Sequence, residues 1–500
     1  MNPRDELTKL PATELRRLIG TKTISPVELL EACIARIERI DPAVNAIAAR
    51  AFDRARAEAR AAERAVRSGD ALGRLHGLPI GVKDLQDTAG ILTTHGSPMY
   101  RDHVPATDAA QVALVRAAGA IVAAKTNTPE FGAGANTRNP VWGATGNPFD
   151  PTLNAGGSSG GSAVALACDM LPLATGSDTG GSLRIPAAYC GVVGLRPSPG
   201  LVPMDGRGLG WTPLPVLGPM ARNVGDLRLL FAAQLGVDDR DPLSRALDPS
   251  TAAAPRYADL GSLRVAWTAD FGQCPVSDGI RTLMRTRIDA MRHLFRSVDE
   301  LAFDFGDADR CFDVMRAQTF LARHRDAWEN DRERLGPNIR ANYELGASMS
   351  LADAAWAHAE QTRLMRRFQR LYDAYDLVLS PTVAVSPFPW TRPYLDEIDG
   401  RPLKNYYHWL ALTYVVTLVT NPAISLPCGV DAHGMPFGLQ VVGRCGGDLA
   451  LLDAAGALEM AFAGIDGLGR PVPDVRRLAS DRPELKSIVT DPPAVALACR

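Results

Sequence analysis

Short apolar runs of strand length recur along this chain between stretches of helical spacing, and that alternation restricts its fold more than any other feature. Leu78-Pro79-Ile80-Gly81-Val82, Ala120-Ile121-Val122-Ala123 and Leu171-Pro172-Leu173-Ala174 are such runs, joined by glycine and small polar residues. The pattern resumes at Leu263 to Trp267, Asp376 to Thr382, Ala423 to Pro427 and Phe437 to Val442. Strands alternating with helices specify an α/β fold, here a single large domain with a mixed, largely parallel β-sheet covered by helices on both faces. With 500 residues, 46% of them hydrophobic and 22% charged, the chain can bury a large core. Composition excludes a mainly disordered protein, a collagen and a small disulfide scaffold.

Around that sheet the chain divides into three parts. Residues 1–70 read as helices packed on the core. Ser25-Pro26-Val27-Glu28 is a capping box with proline at the first helical position, and Leu30, Cys33, Ile34 and Ile37 follow on one apolar face. Ala51 to Arg67, rich in Ala, Arg and Glu, reads as an exposed helix. Residues 71–475 form the main domain, with a Pro- and Asp-rich linker or long loop over 238–256 and a helical insert at about 279–375 that caps the sheet. Residues 476–500 form a C-terminal tail, expected to be partly disordered beyond Ala479 because it contains proline and lacks periodicity.

Lys plus Arg (54) nearly balance Asp plus Glu (56), so no electrostatic argument favours nucleic acid or an anionic membrane as partner. The eight cysteines, at 33, 168, 190, 274, 311, 428, 445 and 499, form no Cys-x-x-Cys pair and read as buried free thiols. Met1 to Glu6 carries no apolar segment, and Trp409 to Val419 is too short to span a bilayer. A soluble cytoplasmic protein is expected.

Three segments carry chemistry. The first is Gly156-Gly157-Ser158-Ser159-Gly160-Gly161-Ser162, followed by apolar helical residues. On its residues alone it reads as a flexible linker, an anion cradle at a helix N-terminus or a nucleophile loop. The second is Gly176-Ser177-Asp178-Thr179-Gly180-Gly181-Ser182-Leu183-Arg184-Ile185-Pro186, where paired glycines before a serine let the backbone turn its N–H groups toward one point. The third is Pro79-Ile80-Gly81-Val82-Lys83-Asp84, which puts a lysine at the end of an apolar strand, where desolvation lowers its pKa toward base function.

Other chemistries fit poorly. The histidines, at 76, 95, 103, 293, 324, 358, 408 and 433, include no HExxH pair, so a zinc hydrolase is not expected. An α/β-hydrolase triad would have to use Asp431 and His433, two residues apart in a turn. Gly119 to Thr126 lacks the second glycine of a P-loop. No metal and no cofactor is expected.

Taken together, Gly81 to Asp84, Gly156 to Ser162 and Asp178 to Pro186 resemble the amidase signature family. The spacing of the two serines, 182 − 158 = 24, matches that pattern, as do Lys125-Thr126-Asn127-Thr128-Pro129-Glu130-Phe131, Cys190 to Pro197 and Gly218 to Arg222. The resemblance covers roughly residues 25–470 and is weakest across the helical insert. It implies a Ser–cis-Ser–Lys triad. Ser182 would be the nucleophile, Ser158 the bridging serine after a cis peptide bond from Gly157, and Lys83 the base. The N–H groups of Thr179, Gly180, Gly181 and Ser182 would form the oxyanion hole. Gly157, Ser159, Asp178 and Arg184 would support the site, Ser159 and Ser162 by hydrogen bonds to backbone or helix capping, Asp178 and Arg184 as an ion pair. Asn127 and Phe131 are candidate substrate-binding residues, Asn127 having an equal claim to bracing a loop. Thr93 to Ser97 is similar to a family loop near the pocket, with His95 structural, and Cys190 reads as packed.

The family contains simple amidases, fatty-acid amide hydrolases, aryl acylamidases, carbamate-cleaving relatives and the glutaminase subunit of tRNA-dependent amidotransferases. That subunit typically carries Lys-Asp-Asn where this chain has Lys83-Asp84-Leu85. Tyr406, Tyr407, His408, Trp409 and Tyr414 either shape a pocket or belong to the core. The resemblance thus implies a stand-alone amidohydrolase of linear amides, acting on a small apolar or aryl carboxamide, with aryl esters or carbamates as further substrates. A glutaminase-type subunit is the alternative. The expected partner is a small-molecule amide, with neither nucleic acid nor membrane; a homodimer is the assembly entertained, although no residue pattern fixes it.

Overall fold

The computed structural model describes residues 3–494. Eleven strands make one sheet: β1 (Ile47–Arg50), β2 (Pro79–Lys83), β3 (Ile121–Thr126), β4 (Leu173–Asp178), β5 (Val193–Arg196), β6 (Val216–Ala221), β7 (Arg264–Trp267), β8 (Ser297–Glu300), β9 (Leu377–Pro381), β10 (Ala423–Val430) and β11 (Pro436–Val442). Their spatial order is β1-β3-β2-β4-β6-β5-β10-β11-β9-β7-β8. Strands from both sides of the insert join this one mixed sheet, and helices flank it, as the alternation of runs predicts. Its parallel pairings lie on the two flanks, β3–β2–β4 and β9–β7–β8. The middle, β4 through β6, β5, β10 and β11 to β9, is antiparallel, as is the outer pair β1–β3.

The strands are buried on both faces, which explains their unalternating apolar texture: every residue of β2, β3, β5, β6, β9 and β11 is buried. The 26–44 helix starts at the expected capping box, with the Glu28 amide donating to Ser25 Oγ at 3.0 Å and the Ser25 amide to Glu28 Oε2 at 2.8 Å.

Three local expectations change. The N-terminal 70 residues contain β1, which pairs with β3 at the sheet edge, so that segment supplies a strand as well as helices. Its four residues are too few to stand out between two long helices. Within the insert, Ser297–Glu300 adds the other edge strand, β8, beside the helices 278–291, 308–330, 337–347 and 351–369. The tail beyond Ala479 is packed as far as it is described. The Arg482 amide donates to Pro42 O at 3.1 Å, Leu485 is fully buried, and the Thr490 amide donates to Pro140 O at 3.0 Å. One apolar side chain in a matching notch holds a segment that shows no periodicity. Residues 495–500 of the tail, Cys499 among them, lie outside the described residues. The other seven cysteines are unpaired, and all but Cys445 are buried.

Strands β2 and β4 run parallel as neighbours, with Ile80 opposite Leu173 and Gly81 opposite Ala174. Their carboxyl ends therefore open side by side, the usual place for a ligand in such sheets. Lys83 ends β2 and Asp178 ends β4.

Candidate active site

Lys83 is fully buried at that edge. Its Nζ lies 2.7 Å from Ser158 Oγ, 2.9 Å from Ser159 Oγ and 2.9 Å from Ser177 Oγ. Burial lowers its pKa well below the ordinary lysine range, opposed only in part by the charge of Asp178. Three hydroxyls satisfy this amine in either form, as three acceptors for an ammonium or as two acceptors and a donor for a neutral amine. Lys83 forms no ion pair with any described residue.

Ser158 follows a cis peptide bond from Gly157. The loop Gly156–Ser159 leads into the 160–167 helix, which packs tightly enough that a Cβ on Gly161 would lie 2.2 Å from Asn127 N and 2.4 Å from Ala46 O. That contact admits only glycine and fixes the loop against the ends of β2 and β4.

Beyond β4 the chain turns through Thr179-Gly180-Gly181-Ser182 into the 184–190 helix. The turn is built on Asp178. Its carboxylate accepts from Gly181 N at 2.9 Å, Leu183 N at 3.2 Å, and Arg184 Nε and Nη2 at 3.0 and 2.9 Å. Arg196 Nη1 donates to Asp178 O at 2.8 Å. Burial works to raise the carboxyl pKa, but Arg184 and Arg196 outweigh it and hold it below the usual carboxylate range. Arg184 reaches on to Thr413 O, Thr417 Oγ1 and Gln440 Oε1. The expected Asp178–Arg184 ion pair is present, and it anchors the turn to distant parts of the chain.

Ser182 is partly exposed and lines a cavity of about 320 Å³ together with Ser158, Ser177, Thr179 and Gly180. The Ser159 amide donates to Ser182 O at 3.2 Å, so the two serine loops are tied together. The Ser182 side chain forms no hydrogen bond with any described residue, Ser158 included. Four backbone N–H groups were expected to face an oxyanion. That of Gly181 is committed to the Asp178 carboxylate, which leaves Thr179, Gly180 and Ser182.

The remaining walls combine apolar and aromatic side chains with charged and polar ones, Asp87, Asp108, Asp205, Arg207, Arg316 and Arg323 among them. Leu85, Phe131, Met204, Leu209, Phe312, Phe320, Tyr407 and Leu410 line them. Phe312 and Phe320, with Arg316, Thr319, Arg323 and His324, come from the 308–330 helix of the insert. Phe131 thus reaches the cavity, as expected. Asn127 does not: it is fully buried, donates to Gly143 O and Thr145 Oγ1, and accepts from Thr128 N and Asn139 Nδ2. It braces the loop behind the site. Ser162 likewise bonds backbone, donating to Thr175 O at 2.8 Å. Of the aromatics singled out between 406 and 414, only Tyr407 lines the cavity; Trp409 and Tyr414 are buried in the core.

Sequence reading missed two contacts of Lys83. Ser177 stands next to Asp178 at the end of β4, and its place one residue before a strand-terminal acid gave a usable signal. Ser159, expected to bond backbone or cap the helix, makes no side-chain cap bond, and its hydroxyl reaches Lys83.

The match to known proteins is as broad as the geometry is specific. The family model for amidases matches residues 28–452. The chain belongs to the amidase signature family. Members are hydrolases of carbon–nitrogen bonds, and so is this protein. Among curated relatives, an acylamidase of Rhodococcus erythropolis is 33% identical over 458 residues, covering 90% of this chain and 95% of its own. A glutamyl-tRNA(Gln) amidotransferase subunit from Anaeromyxobacter sp. (strain K) is 34% identical over 485 residues, covering 91% and 97%. Among solved structures, a bacterial aryl acylamidase of the amidase signature family superposes with a TM-score of 0.83 at 28% identity, covering 95% of this chain and 99% of that one. No helix among the described residues is long and apolar enough to cross a membrane.

Proposed function

We propose that this amidase signature enzyme is a stand-alone amidase that cleaves a small apolar or aryl carboxamide or anilide through an acyl-enzyme on Ser182. The observation that carries this reading is a buried lysine of lowered pKa, bonded to three serine hydroxyls, of which those of Ser158 and Ser177 line a cavity with several apolar and aromatic side chains. Lys83 accepts a proton through Ser158 as Ser182 attacks the carbonyl carbon. The N–H groups of Thr179, Gly180 and Ser182 stabilise the oxyanion. Ser158 then returns the proton to the departing nitrogen, which an amide requires because an amide anion is a poor leaving group. Water hydrolyses the acyl-enzyme by the same proton path in reverse. Phe131 and the insert residues Phe312 and Phe320 contact the apolar part of the substrate.

The similarity to glutamyl-tRNA(Gln) amidotransferase subunits supports a second reading, a glutaminase that passes ammonia to a partner chain. One hydrolysis panel separates them: glutamine, aliphatic amides, anilides, aryl esters and aryl carbamates, with Ser182→Ala as control. Turnover of aryl compounds that the control loses supports the stand-alone enzyme. Turnover of glutamine alone, or of nothing until a partner is added, refutes it.

A further inference from the structure

Beside the cavity, the structure gathers three residues that the reaction does not use. Asp87, His95 and His103 lie at eight-residue intervals, a spacing that matches no metal-binding pattern, yet one ligand atom from each falls within 4.8 Å of the others. It is the one such set of His, Cys, Asp or Glu found among the described residues. Asp87 and His95 line the cavity wall; His103 stands behind them, half-buried and outside the lining.

One further observation points to a ligand. His95 Nε2 lies 3.2 Å from Asp87 Oδ1, but Asp87 Oδ1 is buried with no hydrogen-bond partner, so that approach lacks hydrogen-bond geometry. Two atoms each about 2.0–2.2 Å from a tetrahedral zinc ion stand roughly 3.3–3.6 Å apart, with their lone pairs converging on the ion instead of on each other.

The backbone holds all three residues in place. The Ala109 amide donates to Asp87 O at 2.9 Å, the Phe131 amide to His95 O at 2.8 Å, and the Thr93 amide to His103 O at 2.9 Å. The imidazoles of His95 and His103 lie near parallel, 25° apart with centroids at 6.3 Å. Rotation of the half-exposed His103 side chain would have to close the rest of a separation of at most 4.8 Å for its nitrogen to coordinate the same ion.

We propose that Asp87, His95 and His103 form a binding site for a divalent transition metal, with Zn²⁺ the ion best matched to two imidazoles and one carboxylate. Three protein ligands leave the fourth position to water or to a polar group in the cavity. The site is distinct from the lysine–serine cluster and takes no part in acyl transfer. Bound metal would pin the 87–103 segment against the cavity wall beside Phe131, whose ring lies 6.2 Å from that of His95. This proposal does not depend on which amide is cleaved.

The test uses untagged, chelator-treated full-length protein titrated with Zn²⁺ by calorimetry, and with Co²⁺ followed by visible absorption. One Zn²⁺ per chain is expected, with an intense Co²⁺ d–d band of tetrahedral type. His103→Ala and His103→Gln, changes at a half-exposed position, should each weaken Zn²⁺ binding at least tenfold while leaving the thermal midpoint and hydrolysis without metal unchanged. Absence of binding by the wild-type protein overturns the proposal. So does binding that both variants retain at full affinity.

Discussion

Asp178→Asn is the most informative single change, because it alters charge and hydrogen bonding at the foot of the Thr179–Ser182 turn, the proposed oxyanion hole, without altering shape. Asp178 is fully buried between Arg184 and Arg196, themselves fully buried. Oδ1 serves Gly181 N and Arg184 Nη2, and Oδ2 serves Leu183 N and Arg184 Nε. All of these partners are donors. Asparagine offers one acceptor oxygen and one NH₂, so either orientation turns a donor toward two donors and leaves two buried guanidiniums uncompensated. Breaking a buried ion pair from one side costs about 3–5 kcal/mol. The loss should appear as a lower urea midpoint with unchanged slope, followed by tryptophan fluorescence near neutral pH. The sign is clear there: the folded-state pKa lies below the ordinary 3.8, so the carboxylate's contribution is complete above that pH and is lost only on strong acidification. Misplacing the turn should also lower kcat by about 10²-fold, the scale of one lost oxyanion donor, with little change in KM. A variant with a wild-type urea midpoint and kcat within about threefold of wild type would refute this account of the turn.

Ser182→Ala should lower kcat at least ~10³-fold in a substrate-saturated assay while leaving the thermal midpoint unchanged, since its hydroxyl bonds no described residue. Activity should rise with pH through the depressed pKa of Lys83 and then level off, because the base acts only when neutral; a flat profile with chemistry rate-limiting would count against it. The same shift makes wild-type stability rise with pH up to the unfolded lysine's 10.5, since the unfolded chain holds the proton longer; Lys83→Met, inactive, should lose that slope in urea titrations. Gly181→Ala should destabilise by about 1–3 kcal/mol and reduce kcat: Gly181 has φ +124°, and a Cβ there would lie 2.3 Å from Thr413 Oγ1.

The sheet and its coverage were legible because buried strands leave unbroken apolar runs, and Lys83, Ser158 and Ser182 because they sit in glycine-rich turns with few other uses. What stayed hidden was set by tertiary packing. Asn127 lies within a segment that matches the family, but sequence carries no sign of whether its amide faces the cavity or the four groups that saturate it. The Gly181 amide looked identical to its neighbours until the fold put a carboxylate 2.9 Å away. Strand β1 has four residues, below the length at which periodicity speaks. Asp87, His95 and His103 meet only because a loop closes back on itself, and no local spacing encodes that.

The fastening of the oxyanion turn has a consequence for synthesis. Arg184 is bonded to Thr413, Thr417 and Gln440, which lie 229, 233 and 256 residues further along, and Thr413 Oγ1 also donates to Gly180 O at 2.6 Å. When Ser182 leaves the ribosome, Asp178 and Ser159 are already made, but the residues that clamp Arg184 and Gly180 from the far side are not. Nascent chains and products truncated before residue 440 are therefore expected to be silent as hydrolases, although they carry Lys83, Ser158 and Ser182. Activity is then expected late, once β10 and β11 have closed onto the sheet.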